Sequence, residues 1–201
     1  MNNHLVNELI CTRISHDIVG NIGAVSNAVE LLEEGDMDFI DDIKSILSTS
    51  SRTLSYRMKF FRMAFGLNNS NLENKDVVCQ TAQDYLSTLG NKDYPITLEF
   101  NVKNIDSYRN SLLMIMILGD VLIRGGNISI CDTDNKLVAK IDKDMKISAD
   151  KLDKFSSVLA DGYENGDATS AHIVALCDYN KNCKIKLSQD DSSVVLTLEK
   201  I

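Results

Sequence analysis

Along the first third of the chain, apolar residues recur at spacings of three and four. Ile10, Ile14, Ile18, Ile22, Val25, Val29 and Leu32 fall on one seam, the signature of an amphipathic helix. Glu33 and Glu34 end that helix, Gly35 suits the position just past it, and Asp36 suits the cap of the next. The second helix carries Ile40, Ile43, Leu47, Leu54, Met58, Phe61 and Phe65 on one face, interrupted by Ser48-Thr49-Ser50-Ser51. A helical hairpin is therefore predicted up to Gly66. Two such helices alone cannot bury both apolar stripes. The same hairpin from a second chain would complete a four-helix bundle, so a homodimer is expected.

After the polar connection Asn68-Asn69-Ser70-Asn71 the period changes. A helix is predicted over 76–89, then a strand over 96–102 with Ile96, Leu98, Phe100 and Val102 alternating. A helix over 107–123 follows, then strands at 127–131 and 137–141 joined by the turn Asp132-Thr133-Asp134-Asn135. Helices at 149–159 and 168–177 lead into a closing hairpin of strands at 184–187 and 194–198. The chain reads as α+β: a hairpin region, 1–68, then an α/β sandwich, 69–201, with helices on one face of a sheet.

Composition narrows the function. A net charge of −8 argues against nucleic-acid binding, which relies on basic surface. The longest apolar run, 112–118, is too short to cross a bilayer, and Met1-Asn2-Asn3-His4 does not lead into a signal-type segment. No membrane association is expected, and a cytoplasmic location is. The five cysteines, Cys11, Cys79, Cys131, Cys177 and Cys183, are scattered without metal-ligand spacing; Cys11 and Cys131 read as small core residues.

The candidate chemistry lies on the first helix. At about 100° per residue, His16 stands some 200° from both Ile14 and Ile18, so its ring points away from the seam. Gly20 and Gly23 share nearly the same face, and a glycine inside a helix costs about 1 kcal/mol relative to alanine. Two of them beside an outward histidine leave two readings: a partner's backbone approaches the ring, or a neighbouring helix packs tightly there. His172, among Ala171, Ile173 and Val174, reads as a structural core histidine, and His4 as a residue of a frayed terminus. On the second helix, Arg52, Arg57, Lys59 and Arg62 either balance Glu30, Glu33, Glu34 and Asp36 across the hairpin or steer an acidic partner.

Ser15-His16-Asp17-Ile18-Val19 and the following Gly23-Ala24-Val25-Ser26-Asn27-Ala28-Val29-Glu30-Leu31-Leu32 resemble the phosphorylation helix of ChpT-type bacterial histidine phosphotransferases. More distantly they resemble the phosphoacceptor hairpin of sensor histidine kinases. Arg57-Met58-Lys59-Phe60-Phe61-Arg62-Met63-Ala64-Phe65-Gly66 resembles the end of the second helix of that family, and Arg124-Gly125-Gly126 extends the match. The resemblance implies His16 as phosphoacceptor, Asp17 as its orienting neighbour, and a partner surface including Arg13, Gly20, Gly23, Arg57 and Arg62. It implies receiver domains of a hybrid kinase and of response regulators as partners, with Mg2+ on the receiver and no cofactor or metal on this chain.

The second region, in element order, matches a histidine-kinase ATP-binding domain, yet its nucleotide motifs are replaced. The helix before the glycine pair reads Met114-Ile115-Met116-Ile117-Leu118-Gly119-Asp120-Val121, without the magnesium-binding asparagine. Ile141-Asp142-Lys143-Asp144-Met145-Lys146 lacks the glycines of the adenine loop, and Asn165-Gly166-Asp167-Ala168-Thr169-Ser170-Ala171-His172 replaces the Gly-rich phosphate cradle. A degenerate domain that does not bind ATP is expected. Two other functions stay open from the sequence: an ATP-dependent histidine kinase, and a docking protein that sequesters a receiver without phosphotransfer.

Overall fold

The structure is a computed structural model that describes residues 3–35, 39–66, 70–142, 146–162, 166–190 and 193–201. Asp36, Asn68, Asn69, Lys143, Asp144, Met145 and Asn165, to which sequence roles were given above, lie outside the described residues. Helix α1 (Asn3–Glu33) and helix α2 (Ile40–Phe65) form the hairpin. Gly35, at φ +75, closes α1 in the left-handed conformation that favours glycine. Asp41 and Asp42 occupy the first turn of α2, where carboxylates meet the positive end of the helix dipole.

Helix α3 (Lys75–Ser87) is capped by Asn74, whose side chain accepts from the Asp76 and Val77 amides. Strand β1 (Ile96–Asn101), helix α4 (Tyr108–Val121) and strand β2 (Gly126–Asp132) form a parallel crossover unit. Strand β3 (Lys136–Asp142), helices α5 (Ala149–Asp161) and α6 (Ala171–Tyr179), and strands β4 (Cys183–Gln189) and β5 (Ser193–Lys200) complete the chain. The five strands lie in the order β1-β2-β3-β5-β4, antiparallel except for the first pair. The architecture is thus α+β, with the hairpin first and a five-stranded mixed sheet behind it. Gly125 (φ +58) precedes β2, and a Cβ there would stand 2.8 Å from the Pro95 carbonyl oxygen, so the predicted Gly125-Gly126 pair has a backbone reason.

Sheet alternation decides what is buried. Ile128, Ile130, Leu137, Ala139, Ile141, Val194, Leu196 and Leu198 face the helices. On the other face Cys131 is exposed, and Cys11 is exposed on α1. Neither is the core residue predicted: Cys131 follows inward Ile130 and so points outward, and Cys11 follows buried Ile10 around the helix.

Helix α4 is buried from Ser111 to Val121, because the sheet lies on one side and the hairpin on the other. The core runs unbroken from Val6, Ile10, Phe60 and Phe61 of the hairpin through α3 and α4 to the sheet. Helix α2 departs from the predicted stripe. It passes through Ser48-Thr49-Ser50-Ser51 without a break, with Ser50 buried. Its last turns bury Phe60, Phe61, Met63 and Ala64, whereas Met58 is 48% exposed. The reason is that α2 packs on α1, α3 and α4 at once, so a single stripe does not suffice. Phe60 stacks on Tyr85 of α3, ring centroids 4.0 Å apart.

The far half of α1 is different. Ile22, Val29 and Leu32 are 40–52% exposed, as are Phe39 and Ile46 to a similar degree. The stripe that the sequence could not cover with one hairpin is uncovered in the single chain. No described helix is long and apolar enough to cross a membrane.

Phe60→Ala is expected to destabilise the fold by about 3–5 kcal/mol, while Met58→Ala stays within about 0.5 kcal/mol; denaturant unfolding of both variants checks the α2 face.

Candidate functional site

His16 stands on the second quarter of α1 with its side chain 83% exposed. Its Nδ1 lies 3.5 Å from Asp17 Oδ1, a long contact that aims the ring's other nitrogen, Nε2, outward. Successive residues on a helix do not normally face each other. Here Asp17 is held from its other side: Arg13, one turn earlier, donates from Nε to Asp17 Oδ2 at 2.8 Å. The same guanidinium reaches Asp120 of α4, Nη2 to Oδ2 at 2.7 Å, and Arg13 Nη1 donates to the Thr169 carbonyl at 3.4 Å.

The side chains of Arg13, Asp17 and Asp120 are 13%, 13% and 5% exposed. Burial opposes the charge on Arg13, but Asp120 and then Asp17 outweigh it and hold the guanidinium protonated more firmly than in water. Arg13 is therefore turned into the chain and away from the surface on which the family resemblance places it. Arg57 of α2 donates through Nη1 to the Asp17 carbonyl and through Nε to Thr88 Oγ1 at 3.2 Å, just past α3. It reaches neither Glu33 nor Glu34 and instead ties three helices together beneath the histidine.

Gly20 and Gly23 are exposed, and among the described residues no atom outside the surrounding helix backbone comes within 4 Å of where a Cβ would stand. Tight packing of a neighbouring helix within this chain is thus not why glycine is there. Arg62 is exposed and borders a groove of about 670 Å³ that Ile14, Ser55, Met58, Lys59, Phe61, Phe65 and Gly66 also line. Val19 (61% exposed) and Ile22 follow His16 along α1.

Behind Asp120 stands His172, fully buried on α6, with Nε2 3.5 Å from Asp120 Oδ2 and its ring edge-on to Phe155. Burial pushes its pKa down to about 4; Asp120 pulls it up and Arg13 down, and the ring stays neutral at neutral pH. Tyr85, also buried, has its hydroxyl pKa raised by burial. The structural reading of His172 fits its burial.

The segment matched to a phosphate cradle is closed on itself. Asp167 Oδ1 accepts from the Thr169 and Ser170 amides at 3.0 and 3.2 Å and from Thr169 Oγ1 at 2.6 Å, while Lys154 Nζ pairs with Oδ2 at 2.7 Å. Burial works against the Asp167 carboxylate, but these hydrogen bonds outweigh it and hold its pKa well below the usual range. Among the described residues no group of three His, Cys, Asp or Glu side chains is placed to hold a metal ion.

Sequence reasoning missed Asp120 and Thr88. A lone carboxylate inside the most apolar helix was the signal for the first, and Arg13 to Asp17, at i and i+4, was legible as half of the network. Thr88 left no signal.

The fold is that of a bacterial phosphotransferase of known structure: the two superpose with a TM-score of 0.76 over 99% of this chain and 98% of that one, at 24% identity. In sequence the chain is similar to protein phosphotransferase ChpT of Brucella abortus (strain 2308), 31% identical over 140 residues. That alignment takes in 66% of this chain and 65% of the relative, so the chain spans just under two thirds of that protein's length. The resemblance to ChpT-type phosphotransferases drawn from the helix blocks thus holds across most of the chain. The histidine kinase AdeS of Acinetobacter baumannii superposes at a TM-score of only 0.43 with 11% identity over 92% of this chain and 96% of that one, too distant to carry an argument. No protein-family model matches the chain.

The buried neutral His172 sets a pH dependence. Its folded pKa of about 4 lies below the unfolded value near 6.5, so the unfolded chain takes up a proton first as pH falls. Stability from this group is complete above about pH 6.5 and is lost as pH drops from there toward 4, by about 3 kcal/mol. His172→Gln is expected to flatten that part of the stability–pH curve, read by urea unfolding at pH 7, 5.5 and 4.

Proposed function

We propose that this chain is a histidine phosphotransferase of a bacterial multistep phosphorelay, with His16 as the phosphoryl carrier. One observation carries the reading: a histidine 83% exposed on a long, well-anchored helix, with one ring nitrogen turned to a carboxylate and the other to solvent. Similarity to a protein named protein phosphotransferase ChpT supports it.

In this mechanism the lone pair of Nε2 attacks the phosphorus of an aspartyl-phosphate on a receiver domain. The N–P bond forms as the acyl phosphate P–O bond breaks, and the receiver's aspartate leaves as carboxylate. Asp17 accepts a hydrogen bond from Nδ1–H, which keeps its proton, and steadies the positive charge that develops on the ring. The reverse sequence delivers the phosphoryl group to the aspartate of a second receiver. The first receiver belongs to a hybrid kinase and the second to a response regulator. Mg2+ comes with the receiver, and the relay is cytoplasmic.

In-line attack needs close approach. Open Gly20 and Gly23 leave room for a receiver loop beside the ring, with exposed Val19 and the Arg62 groove as flanking surface. Residues 1–68 hold the chemistry and pair with a second copy through the uncovered stripe of Ile22, Val29 and Leu32. Residues 69–201 support the hairpin. A kinase reading is disfavoured because Asp167 occupies the amides that a phosphate would need.

Incubation with a phosphorylated receiver domain is expected to label the wild type with acid-labile, alkali-stable phosphoryl and to leave His16→Ala unlabelled. Receiver binding without label on either protein would replace the relay with a docking role. Gly23→Ala is expected to raise stability by about 1 kcal/mol, because its Cβ meets open space. Gly23→Leu is expected to slow transfer about tenfold or more through misplacement of the docked loop; a thermal melt beside the transfer assay separates the two effects.

A further inference from the structure

The relay reading leaves one buried charge without a task. Asp120 sits near the end of α4, in a helix otherwise apolar from Leu112 to Val121 apart from Gly119, and its side chain is 5% exposed. An ionised carboxylate in such a place persists only when a partner is held against it. That partner is Arg13, and the same guanidinium holds Asp17, which contacts His16.

We infer that Asp120 is a positioning residue for His16: through Arg13 it fixes the Asp17 carboxylate that keeps the histidine's outward nitrogen free to react. The inference rests on the phosphotransferase reading, but concerns a residue of the α/β layer for which that reading has no use.

The geometry supports a directed chain of contacts. The Arg13 side chain has several rotatable bonds, and on an exposed helix it would sample many rotamers. Asp120 selects one of them. With Nη2 anchored on α4, Nε lies 2.8 Å from Asp17 Oδ2, which leaves Oδ1 for the histidine. Lys151 Nζ donates to the Asp120 backbone carbonyl at 2.7 Å and so fixes the backbone from which the carboxylate projects, while the His172 ring closes the far side of Oδ2 at 3.5 Å without a hydrogen bond. Asp17 is fixed a second time at its carbonyl by Arg57. Neither Arg13 nor Asp120 touches the reacting nitrogen; both act through Asp17, as outer partners of a metal ligand act through the ligand, where their loss costs about 10–100-fold.

The role also reassigns Arg13. As a receiver contact, its loss would weaken binding. As the link between Asp120 and Asp17, its loss should leave binding intact and alter the ring.

The test uses the full chain, with His16 ring nitrogens followed by 15N NMR and transfer from an isolated phosphorylated receiver domain measured in parallel. Asp120→Asn keeps the shape and removes the charge. The expected result is a folded protein with wild-type receiver affinity, a smaller share of the Nδ1–H tautomer at His16, and transfer slowed about tenfold. Adding Asp120→Asn to Asp17→Asn should slow transfer no further, because both lie on one line of contact. Should Asp120→Asn fail to fold, Arg13→Gln, which cuts the chain in its less buried middle, reports the same two quantities. A folded variant with the wild-type tautomer share and rate overturns the inference. A wild type that takes no phosphoryl, yet shows an Asp120-dependent tautomer, keeps the positioning and removes the relay. A wild type that is labelled, with a tautomer indifferent to Asp120, does the reverse.

Discussion

One guanidinium shared by two carboxylates sets the relation between the two parts of the molecule. Arg13 belongs to the surface helix and Asp120 to the most deeply buried one, and the buried carboxylate is not tolerable there without the guanidinium. A carboxylate stripped of water in the apolar layer is costly by several kcal/mol. A long basic side chain confined to one rotamer loses much of its freedom. Joined, they link α1 directly to α4. The apolar seam through Val6 and Ile10 sets which face of the helix is buried; the ion pair adds a contact of fixed direction to it.

The continuous core explains how an exposed histidine stands on a firmly packed backbone. A side chain on a loop could be equally accessible, but its backbone would wander, whereas helices and packed sheets carry groups more precisely. Here the helix beneath His16 rests on α6 and α2, and α2 is locked to α3 by the Phe60–Tyr85 stack. Behind them α4 transmits the support to the sheet. The α/β layer in this arrangement is a foundation.

Much of the architecture was legible. The first strand announced itself by the alternation of Ile96, Leu98, Phe100 and Val102, and every strand from β1 to β5 stands within two residues of its predicted bounds. The hairpin helices followed from the Ile10 to Leu32 spacing and from Gly35. What escaped depended on packing partners far away in sequence. Phe60 looked like a residue off the stripe, since a stripe presumes one neighbour and α2 has three. Cys11 and Cys131 each follow a buried isoleucine, so their outward direction depends on the exact phase of helix and strand. His16 stood out by its angle to the seam, but Asp120 read only as the end of an apolar run. Its meaning required Arg13 from the other end of the chain, and no local pattern joins them.

Asp167 is also an internal competitor. A carboxylate tethered two and three residues from the amides it occupies is present there at the effective concentration of an intramolecular ligand, on the order of millimolar or higher for a short tether. Any dissolved anion seeking the Thr169 and Ser170 amides must displace a group that cannot diffuse away, and must also take Lys154 from it. The start of α6 is thereby kept in the geometry of an anion-bound loop by the protein's own side chain.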